Sequence, residues 1–322
     1  MDEIKFSKRP RLRKPYLIVA WPGMGEVAFR AASYLVEQLK FEEFASIPAE
    51  DFFYLTSSLV NKGVLNVPEL PHSKFYYYKN KSGKNDFIVF LSNSQPDLAR
   101  ADAYSRKIIQ VAKNLKVDTV VSFASMPLGI DHTYEPEVWF AATSAELGKV
   151  LKGLGLNTLS EGAISGMNGL FLGIAKREGL KGFCLLGGIP LYTIQIDNPK
   201  ASYAVLDALS RVSGLKINLS GLANQAKNME TEINKLLDYL KLGGQAVGPI
   251  GEEDIEKIKS SLSQLTKLPL SIKEKIEGLF SSAKSDNLKA AELKAELDKW
   301  NVYKEYEDRF LDLFKKAEGN NN

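Results

Sequence analysis

The stretch that decides the fold is YLIVAWPGMGEVAFRAASYLVEQL, residues 16–39. Its first part, Tyr16–Trp21, is a short apolar run with β-branched residues between turn and helix signals, which predicts a buried strand. Pro22–Gly25 then forms a glycine turn. From Glu26 to Leu39, apolar residues recur every three or four positions and predict a helix. A strand, a glycine turn and a helix in succession are typical of the first unit of an α/β protein.

The same alternation continues through the first 243 residues. Further strands are predicted at Glu43–Ile47, Lys74–Tyr78, Phe87–Asn93, Thr119–Ala124, Val138–Ala142 and Gly182–Gly187. Pro96 and Pro199 each fit the first turn of a helix. Because parallel neighbours need crossover connections, this order predicts an α/β fold with a mostly parallel sheet flanked by helices. The segment Lys74–Asn93 is predicted to add an antiparallel hairpin.

The strand signal disappears after the glycine break that begins at Gly243-Gly244. Before the break, a heptad-like apolar stripe from Leu222 to Leu240 predicts a long helix. Beyond it, apolar residues recur at helical spacing in Ile255–Leu265, Ile272–Leu279 and Leu293–Phe314. We therefore predict an α/β domain at residues 1–243 and an α-helical C-terminal region at residues 244–322.

Composition narrows the classes of partner. The 322 residues carry 42 basic and 39 acidic side chains, a net charge of +3, so the surplus typical of nucleic-acid binders is missing. Met1–Pro10 has no apolar core of a signal peptide, and the longest uncharged stretches are too short to span a bilayer. We expect a cytoplasmic protein without nucleic-acid or membrane partners. The single cysteine, Cys184, lies in an apolar run and is predicted to be a buried small hydrophobe.

The first glycine turn reads Gly23-Met24-Gly25-Glu26-Val27-Ala28 and matches G-x-G-x-x-A, a variant of the dinucleotide fingerprint. Glycines let backbone N–H groups approach a phosphate, and the start of a helix favours an anion. Pro22 before the turn and the negative charge of Glu26 weigh against pyrophosphate. A tight structural turn, another anionic or polar ligand, and NAD therefore all stay open for Gly23 and Gly25.

A second glycine segment, Glu161–Gly169, leads into another predicted helix. Gly166 and Gly169 would expose N–H donors at the helix start, and Asn168 could add a side-chain contact. The P-loop lysine is missing, which excludes Walker A, and G-x-S-x-G is missing, which excludes a nucleophile elbow. The alternative explanation of these glycines is that they let the helix pack closely on a strand.

Polar residues that follow predicted strands complete the candidate ligand-binding set. Ligands of open α/β sheets bind beyond the carboxyl ends of the strands, which favours Asn93 and the pair Asp131 and His132. The two histidines of the chain form no H-E-x-x-H or Cys/His zinc pattern, so no metal, cofactor or catalytic set is predicted. The candidate residues are Gly23, Gly25, Asn93, Asp131, His132, Gly166, Asn168 and Gly169.

Several segments taken together resemble one family. They are Pro22–Gly25 before an alanine-rich helix, Gly162–Gly169, Leu185–Gly187, Asp197–Pro199 before Ala201, Ala290–Trp300 and Tyr306–Leu311. In this order they look like the proteasome assembly chaperone 2 family, over nearly the whole chain.

The resemblance implies a phosphorylase/hydrolase-like α/β domain and homo-oligomers. Eukaryotic members assist assembly of the proteasome α-ring, and prokaryotic members are often labelled ATP-grasp-like, although no ATP-grasp pattern is present here. Some archaeal members carry a terminal hydrophobic-Tyr-x motif that docks on the proteasome, which Gly319–Asn322 does not match. We expect a non-catalytic, homo-oligomeric assembly or interaction protein of unknown partner. The competing hypothesis is a small-molecule-binding enzyme with a glycine-lined anion crevice at the carboxyl edge of the sheet.

Overall fold

The computed structural model describes residues 4–55, 58–81, 83–243, 270–283, 287–299 and 303–315. The chain divides into two compact units, Met1–Glu230 and Thr231–Asn322. The predicted domain boundary after residue 243 falls where a described stretch ends, and it stays a prediction.

The first unit is built on strands. These are β1 (Lys5–Phe6), β2 (Tyr16–Ala20), β3 (Glu42–Ile47), β4 (Leu59–Asn61), β5 (Val64–Asn66), β6 (Ser73–Tyr78), β7 (Phe87–Ser92), β8 (Thr119–Leu128), β9 (Val138–Ala142), β10 (Asn157–Thr158) and β11 (Gly182–Pro190). Nine of them form one sheet in the order β1-β3-β6-β7-β2-β8-β11-β9-β10, and β4 and β5 form a separate two-stranded sheet.

The centre of the large sheet is parallel. Strands β7, β2, β8 and β11 run in the same direction, whereas β6 joins β7 and β9 joins β11 in antiparallel fashion. This arrangement confirms the predicted α/β fold class and the antiparallel hairpin of Lys74–Asn93. It also places the carboxyl ends of the four parallel strands, and the loops that follow them, at one edge of the sheet. We call this the carboxyl edge.

Six described α-helices alternate with these strands or follow them, up to residue 243. They are α1 (Val27–Gln38), α2 (Ala101–Asn114), α3 (Ala145–Gly153), α4 (Met167–Arg177), α5 (Pro199–Ser213) and α6 (Ser220–Gly243). At the start of α5, the Asn198 side chain accepts a hydrogen bond from the N–H of Ala201, and Pro199 occupies the first turn as predicted. None of the described helices is long and apolar enough to cross a bilayer.

The core lies on both faces of the central strands, as parallel sheets require. Trp21, at the end of β2, is fully buried against the rings of Phe90, Tyr104 and Phe171. Cys184 is also fully buried, and burial raises the pKa of its thiol to about 12. The prediction that Cys184 is a buried small hydrophobe is thus confirmed.

The second unit contains the helices α7 (Leu270–Ala283), α8 (Asn287–Lys299) and α9 (Tyr303–Lys315). Their apolar residues form one core, which includes Ile276, Leu293, Leu297 and Phe310. These residues belong to the predicted helical stripes, and C-terminal helices are confirmed. The predicted stripe at 255–265 lies outside the described residues.

Candidate functional site at the carboxyl edge

The glycine turn after β2 is held by its own backbone. Gly25 has a φ of +63°, and a Cβ there would lie 3.2 Å from Ile189 and 3.3 Å from Asn198. Its N–H donates to the carbonyl of Ile194 at 2.8 Å, and its carbonyl accepts from the N–H of Asn198 at 2.8 Å. Gly25 is therefore needed for a left-handed, closely packed turn, and its N–H is already bonded within the fold.

Glu26 follows in a left-handed conformation, with a φ of +50°, that costs a non-glycine residue about 1–2 kcal/mol. Burial raises the pKa of its carboxyl to about 7, against the opposing effect of the Arg30 charge. Burial also lowers the pKa of Arg30 to about 10. Arg30 pairs with Asp197 and donates to Gln225 at 2.6 Å. The turn thus places an ionisable carboxyl group with a strongly raised pKa at the start of α1.

Two side-chain amides join the end of β2 to the start of α4. Asn168 is only 5% exposed, and its amide accepts from the N–H of Trp21 and donates to its carbonyl, both at 3.0 Å. Gln95 donates to the carbonyl of Pro22 at 2.7 Å and accepts from the N–H of Met167 at 3.0 Å. We call Asn168 and Gln95 the amide clamp. Sequence reasoning did not single out Gln95, whose partners are about 70 residues away.

The glycines that precede and open α4 have different environments. Gly166 has a φ of +72° and lies beside the Gln95 amide. Gly169 lies in the first turn of α4, and a Cβ there would sit 2.0 Å from the carbonyl oxygen of Ile164. Gly169 is therefore required because the 164–169 segment folds tightly onto the start of the helix. This contact favours the packing alternative for Gly169.

Asn93 and Gly23 lie at the same edge. The Asn93 side-chain oxygen accepts from the N–H of His72 at 2.8 Å, and the Asn93 N–H donates to the His72 carbonyl at 3.3 Å. Asn93 therefore fixes the start of β6. Gly23 is exposed and extended, and a Cβ there would lie 3.5 Å from the Asn168 amide nitrogen.

The loop after β8 holds Asp131 and His132. His132 is 7% exposed, and both its N–H and its ring Nδ1 lie 2.8 Å from the hydroxyl oxygen of Tyr192. The Asp131 carboxylate lies 3.4 Å from the same ring nitrogen and accepts from the N–H of Thr133 at 3.0 Å. Burial raises the pKa of the Tyr192 hydroxyl. The imidazole is thus packed against a tyrosine that follows β11.

Lys200, near the start of α5, anchors this loop. Its ammonium lies 2.9 Å from the carbonyl of Thr133, 3.1 Å from the Glu230 carboxylate and 3.4 Å from that of Glu135. With the carbonyl of His132 at 3.5 Å as a fourth oxygen neighbour, the three donors of the ammonium group are all satisfied. Lys200 therefore holds the His132 loop in place.

The eight predicted residues fall into two groups at the carboxyl edge. Six of them surround the end of β2, the end of β7 and the start of α4, whereas Asp131 and His132 follow β8. A cleft of about 440 Å³ opens at the same edge, beyond β9. It is lined by Glu135, Glu137, Asn157, Tyr203, Asp207 and Arg211, among others, and none of the eight residues lines it. Ligand binding by the eight residues stays a prediction.

Large apolar side chains are exposed at this edge. They are 43–73% exposed and come from the loops after β2, β7, β8 and β11 and from the first turn of α4. They are Met24, Leu98, Tyr134, Leu170, Leu191 and Tyr192. We call them the apolar rim. The sequence did not indicate them, because loops and single helix turns carry no period that separates exposed from buried apolar residues.

Known proteins match most of this chain. The model of the PAC2 family matches residues 17–237. An uncharacterised protein from Methanocaldococcus jannaschii is 30% identical over 252 residues, which cover 77% of this chain and 93% of that protein.

Solved structures share the fold. Pyrococcus furiosus PbaB, an archaeal proteasome activator, is 27% identical with a TM-score of 0.62 and covers 72% of this chain and 97% of its own. Pyrococcus furiosus PbaA, an archaeal homolog of proteasome-assembly chaperone, is 25% identical with a TM-score of 0.58, covering 76% and 95%. A Mycobacterium tuberculosis proteasome-assembly chaperone homologue, at 21% identity with a TM-score of 0.59, covers 75% and 99% and shows the fold alone.

Proposed function

Because the chain belongs to the PAC2 family, we propose that it is a non-catalytic, proteasome-assembly-chaperone-like protein that binds another protein and works as a homo-oligomer. The likeness to the proteasome activator PbaB and to PbaA supports this assignment. The balanced charge of the chain supports a protein without nucleic-acid partners, and we propose that it is cytoplasmic.

The observation that carries the proposal is the chemistry of the carboxyl edge. The polar groups that a ligand would need are bonded within the fold: the Gly25 N–H to Ile194, the Asn168 amide to Trp21, and the His132 ring to Tyr192. The apolar rim at the same edge is exposed. Exposed apolar side chains that gather at one end of a fold are typical of protein-binding surfaces.

A second candidate function is a small-molecule-binding enzyme with an anion crevice at this edge. Glu26 favours it, because strained residues and ionisable groups with a displaced pKa concentrate at functional sites. The label ATP-grasp-like, which is often given to prokaryotic relatives, would then describe this function. His132 would serve as its acid or base, so unchanged turnover in a His132→Ala variant would remove that role.

Native mass spectrometry of the protein gently isolated from its own host tests the proposal. A homo-oligomer that carries a proteasome subunit in fixed stoichiometry is the expected result. A strictly monomeric protein that carries no other protein would overturn the proposal. A homo-oligomer that carries a stoichiometric small molecule instead would favour the enzyme.

A further inference from the structure

The hairpin of β4 and β5, residues 59–66, stands apart from the large sheet. Its strands pair with each other, with Val60 opposite Leu65, and Lys62-Gly63 forms the two-residue turn. Both turn residues have positive φ, +49° and +79°, as a type I′ turn requires. A two-stranded hairpin is marginally stable in water unless another surface packs against it.

This hairpin exposes apolar side chains on both faces. Val60 and Leu65 are cross-strand neighbours on one face, and Leu59 and Val64 lie on the other, because successive side chains alternate. All four are 50–70% exposed, and Val67 beyond the hairpin is more exposed still. An exposed apolar hairpin with unpaired edges is a template for association with another chain.

The backbone of β5 is oriented for such pairing. In a hairpin with a two-residue turn, Asn61 and Val64 close the loop with mutual hydrogen bonds. Val60 and Leu65 form the next pair, so their N–H and carbonyl groups point to the outer edges. The centre of the free β5 edge is therefore the backbone of Leu65.

The charges at the two ends of β5 favour a second copy of the same strand. Lys62 precedes β5 and Glu69 follows it; both are exposed, and neither has an ion-pair partner within the described part of the chain. Two β5 edges that pair antiparallel about Leu65 bring the turn of each copy, which carries Lys62, next to the Pro68–Glu69 end of the other. Each end of the pair then joins opposite charges, as a two-fold symmetric interface requires.

We propose that the hairpin is the seam through which two copies of this chain associate, by antiparallel pairing of their β5 edges about a two-fold axis at Leu65. This inference rests on the homo-oligomer of the proposed function and names the surface that forms it. The side chain of Leu65 packs against Leu65 of the second copy, and the exchanged charges set the register.

Sedimentation velocity of the purified full chain tests the seam over a range of concentrations. Leu65→Lys places two like charges at the axis and is expected to weaken self-association roughly a hundredfold, because it also removes the apolar contact. Val150→Lys is the matched control, since Val150 is similarly exposed on α3 and should leave self-association unchanged.

A charge exchange tests the register and the nature of the partner without altering the apolar surface. Lys62→Glu alone should weaken self-association about fivefold, and Lys62→Glu with Glu69→Lys should restore it. Both positions are exposed, so these variants are expected to fold even if Leu65→Lys does not. Restoration by the double exchange requires that both residues meet in one interface.

The outcomes distinguish a failure of the proposed seam from a failure of the proposed function. An oligomer that persists unchanged in Leu65→Lys, or a double exchange that restores nothing, overturns the seam and leaves the homo-oligomer standing. A wild-type chain that stays monomeric at every concentration overturns the homo-oligomer itself. If Leu65→Lys keeps the oligomer but loses a different protein carried from the host, the hairpin binds that protein and not a second copy.

Discussion

The start of α4 and the β4–β5 hairpin present opposite chemistry. At the start of α4, the Asn168 amide is buried and bonded to both backbone groups of Trp21. In the hairpin, Leu65 is exposed although it is large and apolar. Buried polar groups that satisfy each other stabilise the fold, whereas exposed apolar groups mark a surface that another molecule covers. The Asn168 amide therefore serves the architecture of the fold, whereas the hairpin presents an apolar surface to its surroundings.

The largest effect is expected from breaking the amide clamp. Asn168→Ala leaves the buried N–H and carbonyl of Trp21 without partners, at about 1–3 kcal/mol each, so the free energy of unfolding should fall by about 4 kcal/mol. Chemical denaturation measures it. Asn114→Ala, at an exposed position at the end of α2, is the control and should change it by less than about 0.5 kcal/mol. A small effect of Asn168→Ala would contradict this structural role and would favour a role of Asn168 in ligand binding.

Two glycines of the same helix sharpen the distinction between packing and ligand binding. Gly169→Ala places a Cβ against the Ile164 carbonyl and should lower the free energy of unfolding by about 3 kcal/mol. Gly173→Ala, one turn later, meets no atom within 4 Å and should raise it by about 0.5–1 kcal/mol. Chemical denaturation of both variants and of the wild type measures the two changes in the free energy of unfolding. Equal effects would show that Gly169 is not held by close contact.

Glu26 predicts a pH dependence of stability. Its folded pKa, about 7, lies above the unfolded value, so the folded state keeps a proton that the unfolded state loses. Its contribution is fully present below pH ~4.5 and is lost as the pH rises through about 7. Relative to Glu26→Gln, the wild type should lose about 2 kcal/mol across this range, a value reduced for partial solvent contact.

Denaturation of both proteins at a series of pH values measures this difference. Glu146→Gln serves as the control with the opposite sign. A hydrogen bond from its own backbone N–H lowers the pKa of Glu146, so its contribution is lost as the pH falls. A constant difference between wild type and Glu26→Gln at all pH values would contradict the burial of the Glu26 carboxyl.

The smallest effect on stability is expected at the apolar rim. Leu98→Ser removes one of the most exposed side chains of that rim and should change the free energy of unfolding by less than about 0.5 kcal/mol. The thermal midpoint should therefore stay close to that of the wild type. A loss of several kcal/mol would show that Leu98 packs within the fold and is not part of a binding surface.

The main elements of the fold could be predicted because the central strands are apolar runs between turn signals and the longer helices have a clear period. Tyr16–Ala20 belongs to a short apolar run with β-branched residues, Val27–Gln38 carries the period of a helix, and both lie close to where they were expected. The two-residue strands β1 and β10 are too short for any period to show. Helix α3 escaped prediction even though Ser144 caps its start, because only nine residues follow.

The candidate site was harder to predict because its contacts are long-range. The loop positions of Gly25 and His132 followed from the order of strands, but their partners Ile194 and Tyr192 are distant in sequence. Nothing in one sequence indicates that an asparagine such as Asn168 will bond to a strand about 150 residues earlier. The β4–β5 hairpin contains the same apolar residue types as a buried strand, so its sequence does not indicate that it is exposed.

The central claim, that the apolar rim binds protein, is tested most directly by native mass spectrometry of three proteins isolated from the same host. These are the wild type, Leu191→Lys in the rim and Val150→Lys on α3, two positions that are each 58% exposed. We predict that the wild type and Val150→Lys carry the same protein partner and that Leu191→Lys loses it. A partner retained equally by all three would contradict the claim.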